Sequence, residues 1–285
     1  MALNVHKFSN YRLVQQIGRG TYGTVYKCKR LKDSETVVVK EICVNFSDHV
    51  SFESVKNEIV ILAKLSHPNI IGYHETFYND HSVFIVMEYA SKGTLSSYLT
   101  SKTITLPEME VLHILSQIAM GVQYIHSKGI LHRDLKCENI FLSAGLVVKI
   151  GDFGISKILL NQSKAFSVIG TPYYQSPELC QNKPYGYKSD MWAIGCILYE
   201  MCTLRKAFDA TTLAGLVMKI MEAKITPIDP GTYSTPLWNI IQGLLCFDPD
   251  LRPSAVQLLC HPLIAQLVFK AYSHSFQDLQ GCFHS

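Results

Sequence analysis

The first part of the chain alternates apolar and polar residues, which is the pattern of β-strands with one buried face. Residues 11–45 contain three strand-like runs, of which 11–14 alternates and 24–28 and 37–40 are rich in β-branched residues or aromatics. Short apolar runs at 70–73 and 83–89 predict two more strands. We therefore expect a β-rich region near the N-terminus.

Apolar residues at helical spacing mark the predicted helices. They occur first in residues 52–65, where Pro68 soon stops the helix. From Leu106 the pattern is mostly helical, and it begins with the proline and acids that helix N-termini favour. The apolar run 191–199 predicts a buried helix and is too short to cross a bilayer. A β-rich segment followed by a helix-rich one predicts an α+β chain of two lobes that join near residues 88–92.

The composition excludes several classes of protein. With 285 residues, of which 48% are hydrophobic and 17% charged, the chain can bury a substantial core and is not disordered. Its net charge of +3 is too small to argue for a nucleic-acid or membrane partner, and we expect neither. The nine cysteines are scattered without a Cys-x-x-Cys pair, and no apolar leader begins the chain. Reduced thiols and a cytoplasmic or nuclear location are therefore expected.

The stretch 130–142 carries six polar or ionisable residues between apolar ends. They are His132, Arg133, Asp134, Lys136, Glu138 and Asn139. Such side chains are costly to bury unless they have partners or a function. The carboxylate of Asp134 can accept a proton from a hydroxyl, and the amide oxygen of Asn139 suits a hard cation such as Mg²⁺. The alternative is a polar turn between a helix and a strand.

Gly18, Gly20 and Gly23 form a Gly-x-Gly-x-x-Gly motif between two predicted strands. A dinucleotide-binding motif would need a helix directly after it, whereas the residues after Gly23 are typical of a strand. This favours a hairpin over phosphate groups, where glycine lets the backbone approach the ligand closely. An ordinary glycine hairpin is the alternative.

Three further ionisable residues complete a candidate site. Lys40 ends a β-branched strand, where its ammonium would lie near phosphates and need an anion. Glu58, at the edge of the predicted helix stripe, is preferred to Glu53 as that anion, with a solvated glutamate as the alternative. Asp152 follows a short strand and suits a metal, or it simply begins a turn. The alternatives without a function would all have to be true at once, which is improbable. The joint occurrence of these residues therefore favours a phosphoryl-transfer site.

With these residues, the chain resembles the eukaryotic protein kinases over residues 11–264. The motifs that carry the resemblance are His-Arg-Asp-Leu-x-x-x-Asn at 132–139, Asp-Phe-Gly at 152–154 and Ser-Pro-Glu at 176–178. Lys136 is similar to the lysine of serine/threonine kinases. More narrowly, the chain resembles the NIMA-related kinases. This narrower resemblance adds association with the cytoskeleton to the expected locations. The segments behind this narrower resemblance are 137–141, 151–156, 170–174, 176–185 and 196–204.

The resemblance implies a two-lobed α+β protein kinase fold. A small β-rich N-lobe with one helix would occupy residues 11–88, a hinge 89–92, and a larger helical C-lobe 93–264. Residues 1–10 and 265–285 would be a short N-terminal extension and a C-terminal tail.

The resemblance also implies roles for single residues. Lys40 and Glu58 would position the phosphates of ATP, and Asn139 and Asp152 would bind Mg²⁺. Asp134 would accept or orient the substrate hydroxyl, and Lys136 would neutralise the transferred phosphoryl group. The nucleotide pocket would contain Ile17, Gly18, Gly20, Gly23, Val25, Val38, Lys40, Met87, Glu88, Ala90 and Phe141. Val38 stands where these kinases usually have alanine. Its two extra methyl carbons would over-pack the pocket, at a cost of about 1–3 kcal/mol if nothing adjusts.

Regulation is predicted in the segment after the Asp-Phe-Gly motif. It contains Ser163, Ser167 and Thr171 but no acidic residue that could pair with Arg133. A phosphate adds about −1.5 to −2 charges and three strong acceptors, so it would supply the missing anion. Ser167 is the predicted acceptor and Ser163 the second choice, and the alternative is that both are solvated loop serines.

Two more expectations follow from the resemblance. Ile155 predicts a preference for threonine over serine as the acceptor. Tyr73 predicts an autoinhibited state, with simple core packing as the alternative. An active kinase acting on protein Ser and Thr hydroxyls is the favoured function, and a pseudokinase scaffold the main alternative. A small-molecule kinase is disfavoured because residues 170–178 resemble a peptide-docking segment.

Overall fold

The computed structural model describes residues 10–20, 23–43, 56, 59–79, 82–152 and 172–269. These residues divide into two compact units between Ser91 and Lys92. We call the part before this boundary the β-rich unit and the part after it the helical unit.

The β-rich unit is built on an antiparallel sheet. Within the described residues it has five strands in the order β1-β2-β3-β5-β4. They are β1 (Tyr11–Gly20), β2 (Gly23–Arg30), β3 (Thr36–Cys43), β4 (Tyr73–Tyr78) and β5 (Ser82–Glu88). The sheet register places Lys40 between Val25 on β2 and Ile85 on β5. Residues paired in this way point to the same face of the sheet.

Each face of this sheet covers an apolar cluster. One cluster consists of Tyr11, Cys28, Val37, Val39, Phe84 and Val86. The other consists of Ile42, Ile59, Val83 and Ile85, with Tyr73 and Met87 packed against it. Ile59 belongs to helix α1, described over residues 59–63, so this helix packs on the second face. Alternation along β3 puts Val38 and Lys40 on that second face as well.

Two predicted elements of this unit differ from the structure. The strand expected at 70–73 lies further along, at β4, and residues 71–72 are not in a strand. β4 is an edge strand with the sequence Tyr-His-Glu-Thr-Phe-Tyr, so one side faces solvent and no apolar run marks it. The helix expected to reach Leu65 ends at residue 63 and continues as a turn at Lys64.

The helical unit consists of a short ribbon and a helical core. The ribbon pairs β6 (Ile140–Leu142) with β7 (Val148–Ile150). The helices are α2 (Leu95–Thr100), α3 (Glu108–Ser127), α4 (Pro177–Cys180), α5 (Tyr187–Thr203), α6 (Leu213–Glu222), α7 (Thr235–Leu244), α8 (Ala255–Leu259) and α9 (262–269). Both long helices, α3 and α5, confirm their predictions. α2 was not predicted.

The core of the helical unit is formed by α3 and α5. α3 begins with Glu108 and Glu110 in its first turn, where acids favour the helix dipole. α5 is buried from Ser189 to Cys202 and so carries polar residues into the core. No helix in the described parts of the chain is long and apolar enough to span a bilayer.

A buried ion pair ties α4 to the loop before α8. Nη1 and Nη2 of Arg252 each donate to one oxygen of Glu178 at 2.8 Å. Arg252 is 1% exposed, and its remaining donors reach the carbonyl oxygens of Cys246, Lys188 and Phe247. The pair is therefore fully hydrogen-bonded, as a buried charge requires.

Candidate active site

Asp190, in the first turn of α5, fixes the His-Arg-Asp loop through its carboxylate. Oδ2 accepts hydrogen bonds from the backbone amide of His132 (3.0 Å) and from Nε2–H of His126 (2.8 Å). Oδ1 accepts the amide of Arg133 (3.1 Å) and the hydroxyl of Tyr185 (2.5 Å). Burial opposes ionisation of this carboxyl, but the hydrogen bonds from His126 and Tyr185 hold its pKa below the ordinary value. An ionised, buried carboxylate thus sets the backbone of the loop.

His132 is fully buried next to this carboxylate. Burial lowers the pKa of its imidazole, so the ring is neutral near pH 7. Nδ1 accepts a hydrogen bond from the backbone amide of Asp134 (3.3 Å), which leaves Nε2–H to donate to the carbonyl oxygen of Gly151 (3.2 Å). One neutral ring therefore holds two predicted site segments.

Asp134, Lys136 and Asn139 come together in this loop. Nδ2 of Asn139 donates to the carbonyl oxygen (2.8 Å) and to Oδ2 (3.0 Å) of Asp134. Nζ of Lys136 lies 2.9 Å from the same Oδ2, and the side chains of Asp134 and Lys136 are 21% and 34% exposed. The carboxylate is thus oriented from inside by an amide while it stays open to a substrate hydroxyl. Such a group can accept a proton.

Asp152 is brought to this loop by the main chain. The amide of Gly151 donates to the carbonyl oxygen of Asn139 (3.1 Å), directly after β7. Asp152 itself is exposed and has a left-handed φ of 53°, and Arg133 has a similar φ of 68°. Asparagine and aspartate tolerate this region better than other non-glycine residues, so Arg133 is the more strained.

The oxygen atoms of Asn139 and Asp152 fit a hard cation. Asn139 turns its NH₂ group toward Asp134, so its Oδ1 remains as an acceptor, and the described residues offer that atom no donor. A carboxylate and an amide oxygen, completed by phosphate oxygens and water, are ligands that Mg²⁺ prefers. No group of three His, Cys, Asp or Glu side chains with metal-ligand geometry occurs among the described residues. A site of this kind would therefore depend on the substrate phosphates.

In the β-rich unit, the three motif glycines lie at the β1–β2 hairpin. Gly20 pairs with Gly23, and Gly18 pairs with Val25. A Cβ on Gly23 would lie 1.8 Å from the carbonyl oxygen of Glu41, so strand β3 leaves no room for a side chain. A Cβ on Gly18 would only reach ordinary contact with Val25, at 3.5 Å. Sheet packing explains the glycine at 23, and close approach to phosphate stays a prediction for Gly18 and Gly20.

The nucleotide residues predicted on β2, β3 and β5 share one face of the sheet. Val25 pairs with Lys40, and Val38 pairs with Met87, so the four side chains point the same way. All four are half-buried, whereas Ile17 on β1 is exposed. The register of the strands thus sets the position of Lys40.

The residues predicted at the hinge have local roles of their own. Glu88 donates its amide to the carbonyl oxygen of Gly72 (2.8 Å), and its Oε2 accepts the amide of Gly72 (3.0 Å). The amide of Glu88 is therefore not the group that would bind adenine. Ala90 is buried. In the helical unit, Phe141 lies half-buried in the middle of β6.

Several predicted site residues lie outside the described residues. They are Glu58, Phe153, Ile155, Ser163, Ser167 and Thr171. Two predicted regulatory residues are described. Tyr73 donates its hydroxyl to Oγ1 of Thr76 (3.0 Å) and packs against the cluster that contains Ile59. The guanidinium of Arg133 makes no ion pair with any described residue, although the backbone amide of Arg133 donates a hydrogen bond to Asp190.

A polar group behind the His-Arg-Asp loop was not predicted from the sequence. Glu200 on α5 accepts hydrogen bonds from Tyr174 and Lys206, each at 2.7 Å. A signal was present, because Glu200 is a lone acid within the apolar stretch of α5 and such a residue needs a partner. His126 and Tyr185 were missed in the same way as partners of Asp190.

Comparison with known proteins places these motifs in context. A family model described as protein kinase domain matches residues 11–264. The serine/threonine-protein kinase Nek8 of Danio rerio is 44% identical over 265 residues, 92% of this chain and 38% of that protein. Nek5 of Homo sapiens is 41% identical over 263 residues, 91% of this chain and 37% of that protein. The serine/threonine-protein kinase nekl-2 of Caenorhabditis elegans is 39% identical over 266 residues, 90% of this chain and 74% of that protein. The chain therefore spans less than two fifths of the first two relatives.

Proposed function

The chain belongs to the protein kinase family, on its NIMA-related serine/threonine branch, and from this premise we propose that it transfers the γ-phosphoryl group of ATP to Ser and Thr hydroxyls of proteins. The family and the fold class predicted from the sequence are confirmed. The observation that supports the activity is the arrangement of Asp134, Lys136 and Asn139, in which an oriented carboxylate lies beside an ammonium group.

In this proposal, Asp134 accepts or orients the proton of the substrate hydroxyl. Asn139 holds the carboxylate from behind, so its approach to the hydroxyl is pre-organised. Lys136, now paired with Asp134, would turn its ammonium to the transferred phosphoryl group and balance its charge. Asn139 and Asp152 would hold Mg²⁺, whose positive charge would offset the negative charge of the ATP phosphates.

The nucleotide would bind on the sheet face that Val25, Val38, Lys40 and Met87 share in the β-rich unit. Lys40 would pair with ATP phosphates, and Glu58 would position Lys40. Val25, Val38 and Met87 supply apolar surface for the adenine on the same face as Lys40. Val38 is half-buried there, and the predicted over-packing can be measured as a change in the KM for ATP when Val38 becomes Ala.

The experiment that tests the activity is peptide phosphorylation by the purified chain with Mg²⁺ and ATP. Asp134→Asn should keep the fold and lose about 10²–10⁴-fold in kcat, because the proton acceptor is gone. Asp209→Asn, an exposed aspartate of the helical unit, is the matched control and should behave as the wild type. A wild-type rate in Asp134→Asn would refute the assignment. Asp152→Asn should weaken the magnesium-dependent use of the nucleotide, and an unchanged Mg²⁺ dependence would contradict the proposed role of Asp152.

A pseudokinase scaffold is the second candidate function. It predicts nucleotide binding without transfer, so the same assay separates the two. If the wild type and Asp134→Asn are equally inactive while both bind ATP, the scaffold function holds.

We further infer that the enzyme prefers threonine as the acceptor. The inference rests on Ile155 and the resemblance to related kinases, and residue 155 lies outside the described part of the chain. Peptides that differ only in Ser or Thr at the acceptor should show a higher kcat/KM for Thr. Equal or reversed values would refute it.

Phosphorylation in the segment 153–171 is the proposed activating event. Arg133 has no ion-pair partner among the described residues, and a phosphate on Ser167 would supply a bidentate acceptor for its guanidinium. Ser167→Ala and phosphatase treatment should both lower activity, and Ser163→Ala should matter less. Full activity of Ser167→Ala, or active enzyme with unmodified Ser167 by mass spectrometry, would move the switch elsewhere.

A further inference from the structure

A buried polar network lies behind the His-Arg-Asp loop in the helical unit. Oε1 of Glu200 accepts from Nζ of Lys206 (2.7 Å), and Oε2 accepts from the hydroxyl of Tyr174 (2.7 Å). The thiol of Cys137 lies 3.4 Å from the same Oε2. The Tyr174 oxygen accepts in turn from Nζ of Lys206 (2.7 Å) and from the amide of Cys137 (3.4 Å). All oxygens of the Glu200 and Tyr174 side chains therefore have partners.

The protonation states in this network are set by charge balance. Burial disfavours the ammonium of Lys206, but its hydrogen bond to Glu200 and the charge of that carboxylate raise its pKa overall. Burial raises the pKa of Tyr174 and of Cys137, and the charge of Glu200 adds to both shifts. The phenol and the thiol therefore stay protonated and can donate. Lys206 supplies the positive charge that a carboxylate only 11% exposed needs.

The network connects two segments that the proposed reaction uses. Cys137 begins the turn that ends at Asn139, whose amide orients Asp134. Tyr174 lies two residues after Pro172, in the segment predicted to dock the peptide substrate. One hydroxyl thus joins the peptide-docking segment to the loop that carries the proton acceptor.

We propose that the Lys206–Glu200 pair is a positioning device for phosphoryl transfer to peptides. It holds the Tyr174 hydroxyl at the amide of Cys137 and thereby keeps residues 172–176 in register with the loop 132–139. Lys206 contacts none of the proposed reacting groups, so it acts as a positioning residue rather than a catalytic one. The expected loss of peptide phosphorylation rests on the proposed function. The expected loosening of residues 172–176 and 132–139 rests on the network alone.

The test uses three variants of the full chain. Lys206→Met removes the charge and the donor while it keeps most of the side-chain length. Lys206→Met with Glu200→Gln removes both charges, so no unbalanced carboxylate stays buried. Lys219→Met is the matched control, since this exposed lysine donates to the carbonyl oxygen of Asp209 and has no part in the network.

Two measurements are made on each variant. Amide hydrogen exchange of residues 130–142 and 172–180 reports the network without any need for activity. Steady-state kinetics with peptide and ATP varied separately then report its consequence for transfer. In Lys206→Met we expect exchange in both segments to quicken about tenfold and kcat/KM for peptide to fall about tenfold, as expected for a lost charged hydrogen bond. The KM for ATP should stay within about twofold, the range of a neutral substitution.

The double variant separates positioning from a general loss of structure. Because it also lacks the pair, its exchange in both segments should stay faster than in the wild type and its kcat/KM for peptide lower, although no unbalanced charge is buried in it. Lys219→Met should match the wild type. Wild-type exchange in both segments of Lys206→Met overturns the proposal, as does an equal loss for peptide and ATP. If Lys206→Met does not fold, the double variant decides, because wild-type exchange in both segments of that variant would overturn the proposal. If the wild type transfers no phosphoryl group, the proposed function fails while the exchange data still decide whether the network holds the segments.

Discussion

The two units hold their candidate functional residues in different ways. In the β-rich unit, Val25, Val38 and Lys40 are placed by the backbone ladder of the sheet, so their positions follow from strand register. In the helical unit, Asp134 lies on a loop whose backbone is fixed by a buried carboxylate and a buried neutral imidazole. A ladder loses little when one side chain changes. A loop held by single side chains can be released by one substitution.

Ion pairs show the same contrast. In the β-rich unit, Arg30 donates to Asp33 at 2.7–3.1 Å and also pairs with Glu35, at the surface of a turn. In the helical unit, Arg252 and Glu178 form a buried pair with every donor used. Solvent screens the exposed pair, whereas burial shields the second pair from solvent, so the two pairs should differ greatly in their effect on stability.

The largest expected effect is on stability. Arg252→Met should lower the free energy of unfolding by about 3–5 kcal/mol, because the charge of Glu178 would remain buried without its partner. Arg30→Met should leave the midpoint of urea unfolding close to that of the wild type. Far-UV circular dichroism can follow both variants. Equal midpoint shifts in the two variants would remove the contrast between the units.

The dependence of stability on pH should belong mainly to the helical unit. Burial opposes the ionisation of Glu178 and Asp190, but the hydrogen bonds from Arg252 and His126 lower the two pKa values overall. Each folded pKa lies below the unfolded one, so the stabilisation is complete above the ordinary carboxyl values and is lost as the pH falls through the lowered ones. Urea midpoints measured between about pH 6 and pH 3 should therefore fall on acidification.

Two variants localise this acid sensitivity. Glu178→Gln should flatten the fall of the midpoint with pH. Asp33→Asn should leave it nearly unchanged, although the hydrogen bond from Arg30 lowers the pKa of Asp33 to about 2, because that pair is exposed. If the dependence of the midpoint on pH changed more in Asp33→Asn than in Glu178→Gln, the acid sensitivity would not belong mainly to the helical unit.

In the β-rich unit we expect a smaller effect, on regulation. We propose that Tyr73 can leave its place beside Thr76 and hold the enzyme inactive, so Tyr73→Ala should raise basal activity by a factor of about 3–10, equivalent to about 0.6–1.4 kcal/mol. Tyr73→Phe keeps the packing against Ile59 and should show how much the hydroxyl contributes. Peptide phosphorylation without prior activation measures both. An unchanged rate in a folded Tyr73→Ala variant would mean that Tyr73 only packs.

The smallest effect concerns a buried hydroxyl. Ser176 is 1% exposed, and its Oγ has no hydrogen-bond partner within the described residues. Ser176→Ala should therefore stabilise the chain by about 1 kcal/mol or leave it unchanged. Ser189→Ala, a nearby buried serine that donates to Glu178 at 2.6 Å, should destabilise it by about 1–2 kcal/mol. The same sign for both variants in urea unfolding would contradict this account.

Sequence reasoning succeeded where the pattern is local. Strand-like runs predicted β2 and β3, helical spacing predicted α3, and a continuous apolar run predicted α5, because each element buries one continuous set of apolar residues. It failed at β4, which is polar, and at α2, a short helix defined by the capping box of Thr94 and Ser97. Neither element has the apolar period on which the prediction depends.

The candidate site divides in the same way. The spacing within 132–139 is local, and the structure brings Asp134, Lys136 and Asn139 into contact there. Glu200 and Tyr174 are 26 residues apart, and the partners Arg252 and Glu178 are 74 apart. The sequence shows that a buried charge needs a partner, but which residue becomes that partner depends on how the helices pack.

The left-handed backbone at Arg133 and Asp152 has a consequence for any attempt to improve this protein. A non-glycine residue in that conformation costs about 1–2 kcal/mol relative to glycine, so selection for thermal resistance alone would favour glycine at both positions. Glycine at 152 would remove the oxygen ligand proposed for the cation, and glycine at 133 the guanidinium proposed to receive a phosphate. Resistance to heat and turnover therefore pull in opposite directions at these two sites, and a thermostable variant made there should be a poorer enzyme.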